Sequence, residues 1–226
     1  MSLVPLPPLR RRDLVAFDLT RGMPCALSVL RGALVSQQWI RVLGRLLWRG
    51  RRDPLRGLPQ PWPSEQEWLV RRQLRPVVLL DDVLRDDLGL NRPARLELLG
   101  RVVSETGARF LAANVPAGIT ADWSQGTPAE RRAFAASLVR RFFNVEATRP
   151  QVEEASLSYD VTRCRFAELT ADLGRPHLGP LFCAADAVFF GRPDSPLVLQ
   201  RSTTIAEGGS CCDFRFRYRS APRPAD

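Results

Sequence analysis

The sequence predicts an α+β protein in which a helical first two thirds packs with a C-terminal β-α-α-β-β module containing a small antiparallel sheet. Three observations carry that reading. Apolar residues recur at helical spacing from residue 26 to about residue 143. Near Val152 the pattern changes to alternation, with Ala155, Leu157, Tyr159 and Val161 set against Glu154, Ser156, Ser158 and Asp160. Alternation returns in PLVLQRSTTI and CCDFRFRYR, which the Gly-containing loop AEGGS joins as a hairpin. With 226 residues, 45% hydrophobic and 25% charged, the chain can fill one core, and wholesale disorder or a fibrous architecture is excluded.

Residues 1–25 form a Pro/Arg-rich segment whose first dozen residues are expected to be loosely ordered. Residues 26–150 form the mainly helical region. Its opening stretch, 26–49, reads as one amphipathic helix with Leu27, Leu30, Leu34, Leu43 and Leu47 on an apolar stripe. Arg41, Arg45 and Arg49 line another side at spacings of four. Such a helix could lie on a membrane surface or dock a partner; a core helix with a solvated arginine face is the favoured reading. The run RRDPLRGLPQPWP is a linker or long loop. Ser64 with Glu67 reads as a capping box for a helix to about Leu74, ahead of Pro76, and VVLLDDVLRDDLGL carries a second helix. Another spans Pro93 to about Ala113, with Leu96, Leu99, Val103 and Phe110 at helical spacing. Thr127 and Glu130 frame a further capping box, for a helix ending near Phe143.

Residues 151–219 form the second unit, expected to share one domain with the helical region, and 220–226 form a flexible tail. After its first strand come a short helix, FAELTADLG, and a longer one, HLGPLFCAADAVFFG, before the hairpin.

Charge and cysteine usage narrow the function classes. The net charge is +9, and residues 1–75 hold 14 arginines against 5 acids, while the remainder cancels. A basic surface invites nucleic acid or membrane, but every basic residue is an arginine, which points to a coding bias; no nucleic-acid partner is expected. The N-terminal run lacks an apolar segment behind its basic start, and no stretch of about 18 uncharged apolar residues occurs. The expectation is a cytoplasmic protein without a transmembrane segment, with a homo-oligomer through the N-terminal helices as one arrangement. Cys25, Cys164, Cys183, Cys211 and Cys212, an odd set, read as reduced thiols. No CxxC pair and a single His177 argue against a zinc ribbon or finger, although thiols distant in sequence could converge on a metal. No organic cofactor is expected.

The groups that could carry chemistry lie in the last third. Cys183 and Asp186, three apart on a helix, are surface neighbours. Arg201 and Thr203 fall on the strand face that otherwise carries Leu197, Leu199 and Ile205, so the guanidinium needs an anion, either a ligand or Asp186. Cys212 shares a face with Phe214, Phe216 and Tyr218, and Asp213 lies opposite with Arg215 and Arg217. The bland alternative treats the thiols as small core hydrophobes and the charges as surface pairs.

From Tyr159 to Tyr218 the chain resembles the L-2-amino-thiazoline-4-carboxylic acid hydrolase family. The resemblance rests on Cys164, on Gly179, Cys183 and Asp186 within GRPHLGPLFCAAD, and on QRSTTIAEGGSCCDFRF. That last run supplies Arg201, Thr204, Glu207, Gly208, Cys212, Asp213, Phe214 and Arg215. A more distant similarity is to small-molecule-binding domains of the 4-vinyl reductase type. The resemblance implies hydrolysis of a cyclic amidine or isothiourea ring bearing a carboxylate, with redeployment in secondary metabolism an option; the alternative is a binding domain without chemistry. Asp186 or Asp213 would be the base, Cys183 a nucleophile, and Arg201 the clamp for the substrate carboxylate. Tyr159, Cys164, Thr203, Thr204, Glu207 and Cys212 would complete the substrate site. A carboxylate beside Cys183 raises its thiol pKa, so thiol attack and water activated by Asp186 stand as equal routes.

Overall fold

The computed structural model describes residues 3–114, 126–193, 195 and 197–218; the expected tail at 220–226 lies outside them. Leu3 and Leu9 are buried, and helix α1 (Arg11–Phe17) begins directly behind them. The start of the chain is better ordered than its composition suggests, because these leucines find apolar partners and the Leu6 amide donates to Ser137 Oγ at 2.9 Å. A π turn over Asp18–Gly22 leads into α2 (Met23–Ala33).

The helix expected over 26–49 is two helices, α2 and α3 (Ser36–Arg49), with Leu34 and Val35 extended between them. The break lets each half bury its own face: Leu30 from α2, and Val42 with Trp39 and Leu46 from α3. Leu47, assigned to the apolar stripe, is 78% exposed. The arginine row meets carboxylates, Arg45 reaching Asp87 at 3.0 Å and Arg49 reaching Asp86 and Asp87 at 2.9 Å.

Helix α4 (Ser64–Asp86) runs through Pro76, where two helices were expected. An interior proline costs about 3 kcal/mol. Burial of Val70, Leu74, Val78 and Leu80 around it outweighs that cost. The Ser64–Glu67 box is not formed. Pro63 caps the helix without a side-chain bond, and Glu67 is buried, accepting from Arg71 Nε at 2.6 Å and from Arg165 at 2.8 and 2.9 Å. An ion pair to the C-terminal module has taken the acid that the cap would use.

Helices α5 (Arg92–Asn114) and α6 (Pro128–Val139) occupy the expected places, α6 closing earlier than Phe143. Both halves of the Thr127–Glu130 capping box are present, at 2.8 and 3.2 Å. The first expected strand is β3 (Ser156–Cys164), with Leu157, Tyr159 and Val161 buried. Two unanticipated short strands, β1 (Val145–Ala147) and β2 (Gln151–Val152), pair antiparallel with it. Helices α7 (Arg165–Asp172) and α8 (Gly179–Phe190) precede β4 (Leu197–Gln200) and β5 (Cys212–Tyr218).

The sheet order is β1-β3-β5-β4, with β2 also on β3. The hairpin pairs Leu197 with Tyr218 and Gln200 with Arg215, so its loop is longer than the five residues expected. Residues from Arg201 to Thr204 leave the strand, and a short turn over Ile205–Glu207 ends at Gly208, whose φ of 94° suits glycine. One apolar cluster lies on the sheet with α6 and the end of α8, and a second joins the N-terminal helices to α7. Helix α5 lies along α8 so closely that a Cβ on Gly107 would fall 2.5 Å from Cβ of Ala185. No described helix is long and apolar enough to cross a membrane.

Candidate functional site

Helix α8 and the hairpin bring an acid and a base together inside the protein. Cys183 and Asp186 lie one turn apart on α8, which packs along α5 and reaches β4. Arg201 leaves the end of β4 and points back to that turn. Its Nη1 meets Asp186 Oδ2 at 2.7 Å, and its Nη2 donates to the carbonyl of Cys183 at 3.0 Å. The two side chains are 12% and 16% exposed, so this is a largely buried pair. Its guanidinium lies 5.1 Å from the centre of the Phe214 ring, and that ring stacks on Tyr159 at 5.1 Å. The sequence argument for a partner to Arg201 is thereby answered from within the chain.

This pair forms part of the wall of a cavity of about 950 Å3. Tyr159, Cys164, Cys183, Asp186, Arg201 and Cys212 all line it, so six of the residues singled out in the sequence converge. Burial pushes the Asp186 carboxyl above its ordinary value, against the pull of Arg201. Burial also pushes the Cys183 thiol up to about 12, despite Arg201, which keeps it protonated at neutral pH. Cys164 and Cys212 are likewise raised by burial, the latter while accepting a bond from the Ile205 amide at 3.2 Å. The Tyr159 phenol is raised by burial and by the Asp186 charge, so it remains a hydrogen-bond donor. No hydrogen bond to its hydroxyl exists among the described residues.

Four other singled-out residues sit away from the cavity. Asp213 lies on the opposite face of β5, where it clasps the hairpin loop, accepting from the Ser202 amide at 2.9 Å, its hydroxyl at 2.7 Å and the Thr203 amide at 2.8 Å. Burial works against that carboxylate, but these donors hold its pKa below the ordinary value. Thr204 is buried and donates to Glu207 at 2.6 Å, closing the turn before Gly208. These residues shape the loop that carries Arg201.

The sequence reading missed the remaining walls. Phe17, Leu30 and Leu80 from the N-terminal helices, and Thr106 and Phe110 from α5, face the same space. The Thr106 hydroxyl is buried there without a partner among the described residues. Nothing in their local pattern separates them from core positions, because the cavity is created by packing between distant elements. Among the described residues, no group of three or more His, Cys, Asp or Glu is arranged to hold a metal ion.

Residues 98–216, more than half of the chain, match the model of a protein family described as L-2-amino-thiazoline-4-carboxylic acid hydrolase. No curated protein and no solved structure matches.

Proposed function

The chain belongs to the L-2-amino-thiazoline-4-carboxylic acid hydrolase family, and from that premise we propose that it opens a cyclic amidine or isothiourea ring, on a substrate bearing a carboxylate, with water. The observation that carries the reading is the largely buried Asp186–Arg201 pair in the cavity wall beside a thiol held neutral. A carboxyl with a raised pKa is the better general base, because its proton affinity approaches that of its task at neutral pH. Arg201 orients the carboxylate and pulls its pKa down against burial.

The steps balance without a cofactor. Asp186 takes a proton from water as the water oxygen bonds to the ring carbon between nitrogen and sulfur. As the carbonyl forms, the hydroxyl proton on the tetrahedral carbon passes to the ring nitrogen that was doubly bonded to it, and one ring heteroatom is expelled, receiving the proton from Asp186. Loss of sulfur leaves a free thiol and an N-carbamoyl product; loss of nitrogen leaves the S-carbamoyl isomer. Tyr159 donates a hydrogen bond to the ring nitrogen, where charge develops as its double bond to carbon opens. The neutral state of Cys183 favours this route over thiol attack, and the thiol then serves as a wall of the site.

The test is turnover in ¹⁸O-labelled water of 2-aminothiazoline-4-carboxylate and of congeners with longer apolar substituents, followed by mass spectrometry. One ¹⁸O in the carbamoyl group of the product is the expected result. Saturable binding of these compounds without product would replace hydrolysis by a purely binding role, and neither binding nor turnover would overturn the assignment.

A further inference from the structure

Six arginines line the cavity, and five of them, Arg11, Arg71, Arg72, Arg75 and Arg201, have a carboxylate within 4.0 Å. Arg141 has none among the described residues. Its guanidinium is held in place by neutral acceptors, Nη1 donating to the Pro7 carbonyl at 2.9 Å and Nη2 to Asn114 Oδ1 at 3.0 Å. Its Nε is buried with no partner among the described residues. Each terminal nitrogen keeps a second N–H to offer. Burial pushes the pKa of this group down, against a weaker opposing pull from the Asp13 carboxylate, which forms no ion pair with it. Phe142, Phe143 and Leu111 line the cavity with it, and a guanidinium held by neutral acceptors alone gains a charge-assisted bond when an anion reaches it. Arg201 has no such deficit, since Asp186 already matches its charge.

Asp186 and Arg141 can be placed relative to one another along α5. Gly107 abuts Ala185, the neighbour of Asp186, and Asn114, which holds Arg141, lies seven residues further on. At about 1.5 Å of rise per residue, the two levels are about 10 Å apart. A five-membered ring with a directly attached carboxylate is shorter than that. The space between is walled by apolar side chains: Phe110 and Leu111 of α5 lie between the two levels, and Phe17 packs against Phe110.

We propose that Arg141 is the anion-binding residue of the cavity and that the substrate is elongated, with a carboxylate at Arg141, an apolar body between, and the reacting ring at Asp186. The placement of the ring rests on the hydrolase reading; the anion site does not.

The test is calorimetric binding of 2-naphthoate and its neutral counterpart 2-naphthamide to the full chain. Wild type is expected to prefer the carboxylate by about tenfold or more, the size of a charge-assisted pair. Arg141→Gln removes the preference and leaves amide affinity unchanged, which also reports that the cavity is intact. Arg141→Lys, which keeps the charge without the planar fork, retains part of the preference, and carries the comparison if the Gln variant does not fold. Equal affinity of wild type for the two probes, binding of neither, or an undiminished preference in Arg141→Gln would overturn the proposal. Because no turnover is read, a protein that binds naphthoate through Arg141 yet opens no ring defeats the hydrolase reading alone.

Discussion

Removing Arg201 while leaving Asp186 in place should make the stability of the protein depend on pH in a way set by one carboxyl. In Arg201→Met the apolar stem is kept and the charge is lost, so Asp186 is left in a wall where it is only 16% exposed. Breaking a buried pair from one side costs about 3–5 kcal/mol. The cost has a ceiling, because the carboxyl can take up a proton instead. For an ordinary unfolded-state pKa of about 3.9, that ceiling is about 5 kcal/mol at pH 7.5 and about 1.5 kcal/mol at pH 5. The sign follows from the folded pKa, already raised by burial and raised further without Arg201. Such a group is penalised as pH climbs from its unfolded pKa to its folded one. A further loss of about 1 kcal/mol, from the bond to the Cys183 carbonyl, is independent of pH. Urea unfolding at pH 5 and pH 7.5 reads the difference, with Asp186→Asn/Arg201→Met as the control that removes the charge. Because wild type already carries part of this penalty, the single variant should lose more at pH 7.5 than at pH 5, by at most about 3 kcal/mol, and the double variant should lose that pH dependence. An equal loss at both pH values would refute the account of a buried, charge-compensated Asp186.

Other outcomes follow from the same electrostatics. If Asp186 is the base, kcat should rise with pH to a plateau with a midpoint above the ordinary aspartate value of about 3.9; a flat profile from pH 4.5 to 8 would contradict this. Glu67, 2% exposed, keeps a folded pKa below its ordinary value because the bonds from Arg165 and Arg71 overcome desolvation. Its contribution is therefore present above about pH 4.3 and lost as pH falls through the folded value. Glu67→Gln should cost about 3–5 kcal/mol at pH 7 and flatten the acid limb of the unfolding curve. An acid limb as steep as that of wild type would remove Glu67 from its cause.

The parts of this molecule that could be read from its sequence are those fixed by local pattern. The Thr127–Glu130 box formed because cap and acid lie within one turn. Arg201 was visible as a charge out of place among Leu197 and Leu199, and the i, i+3 pair of Cys183 and Asp186 put its partner on the facing helix. Pro76 misled because burial on both sides of it, a tertiary quantity, outweighs a local break. Glu67 had two uses open to it, a local cap and a distant Arg165, and only the fold decides between them. Strands β1 and β2 are too short for alternation to register. Asp213 was placed on the correct side of its strand, yet its bonds to Ser202 and Thr203 depend on where the chain leaves β4, which periodicity does not report. Arg141 stands in the run Arg140–Arg141–Phe142–Phe143, where nothing distinguishes it from its neighbour until Pro7 and Asn114 close around it.

The most direct test of the central claim is the single-turnover rate of ring opening in Asp186→Asn, beside wild type and Cys183→Ala, with substrate affinity measured on the same samples. Loss of a general base predicts a fall of about 10²–10⁴ in Asp186→Asn at nearly unchanged affinity, with Cys183→Ala far less affected. A rate in Asp186→Asn within a few-fold of wild type, together with an inactive Cys183→Ala, would contradict activation of water by Asp186 and hand the chemistry to the thiol.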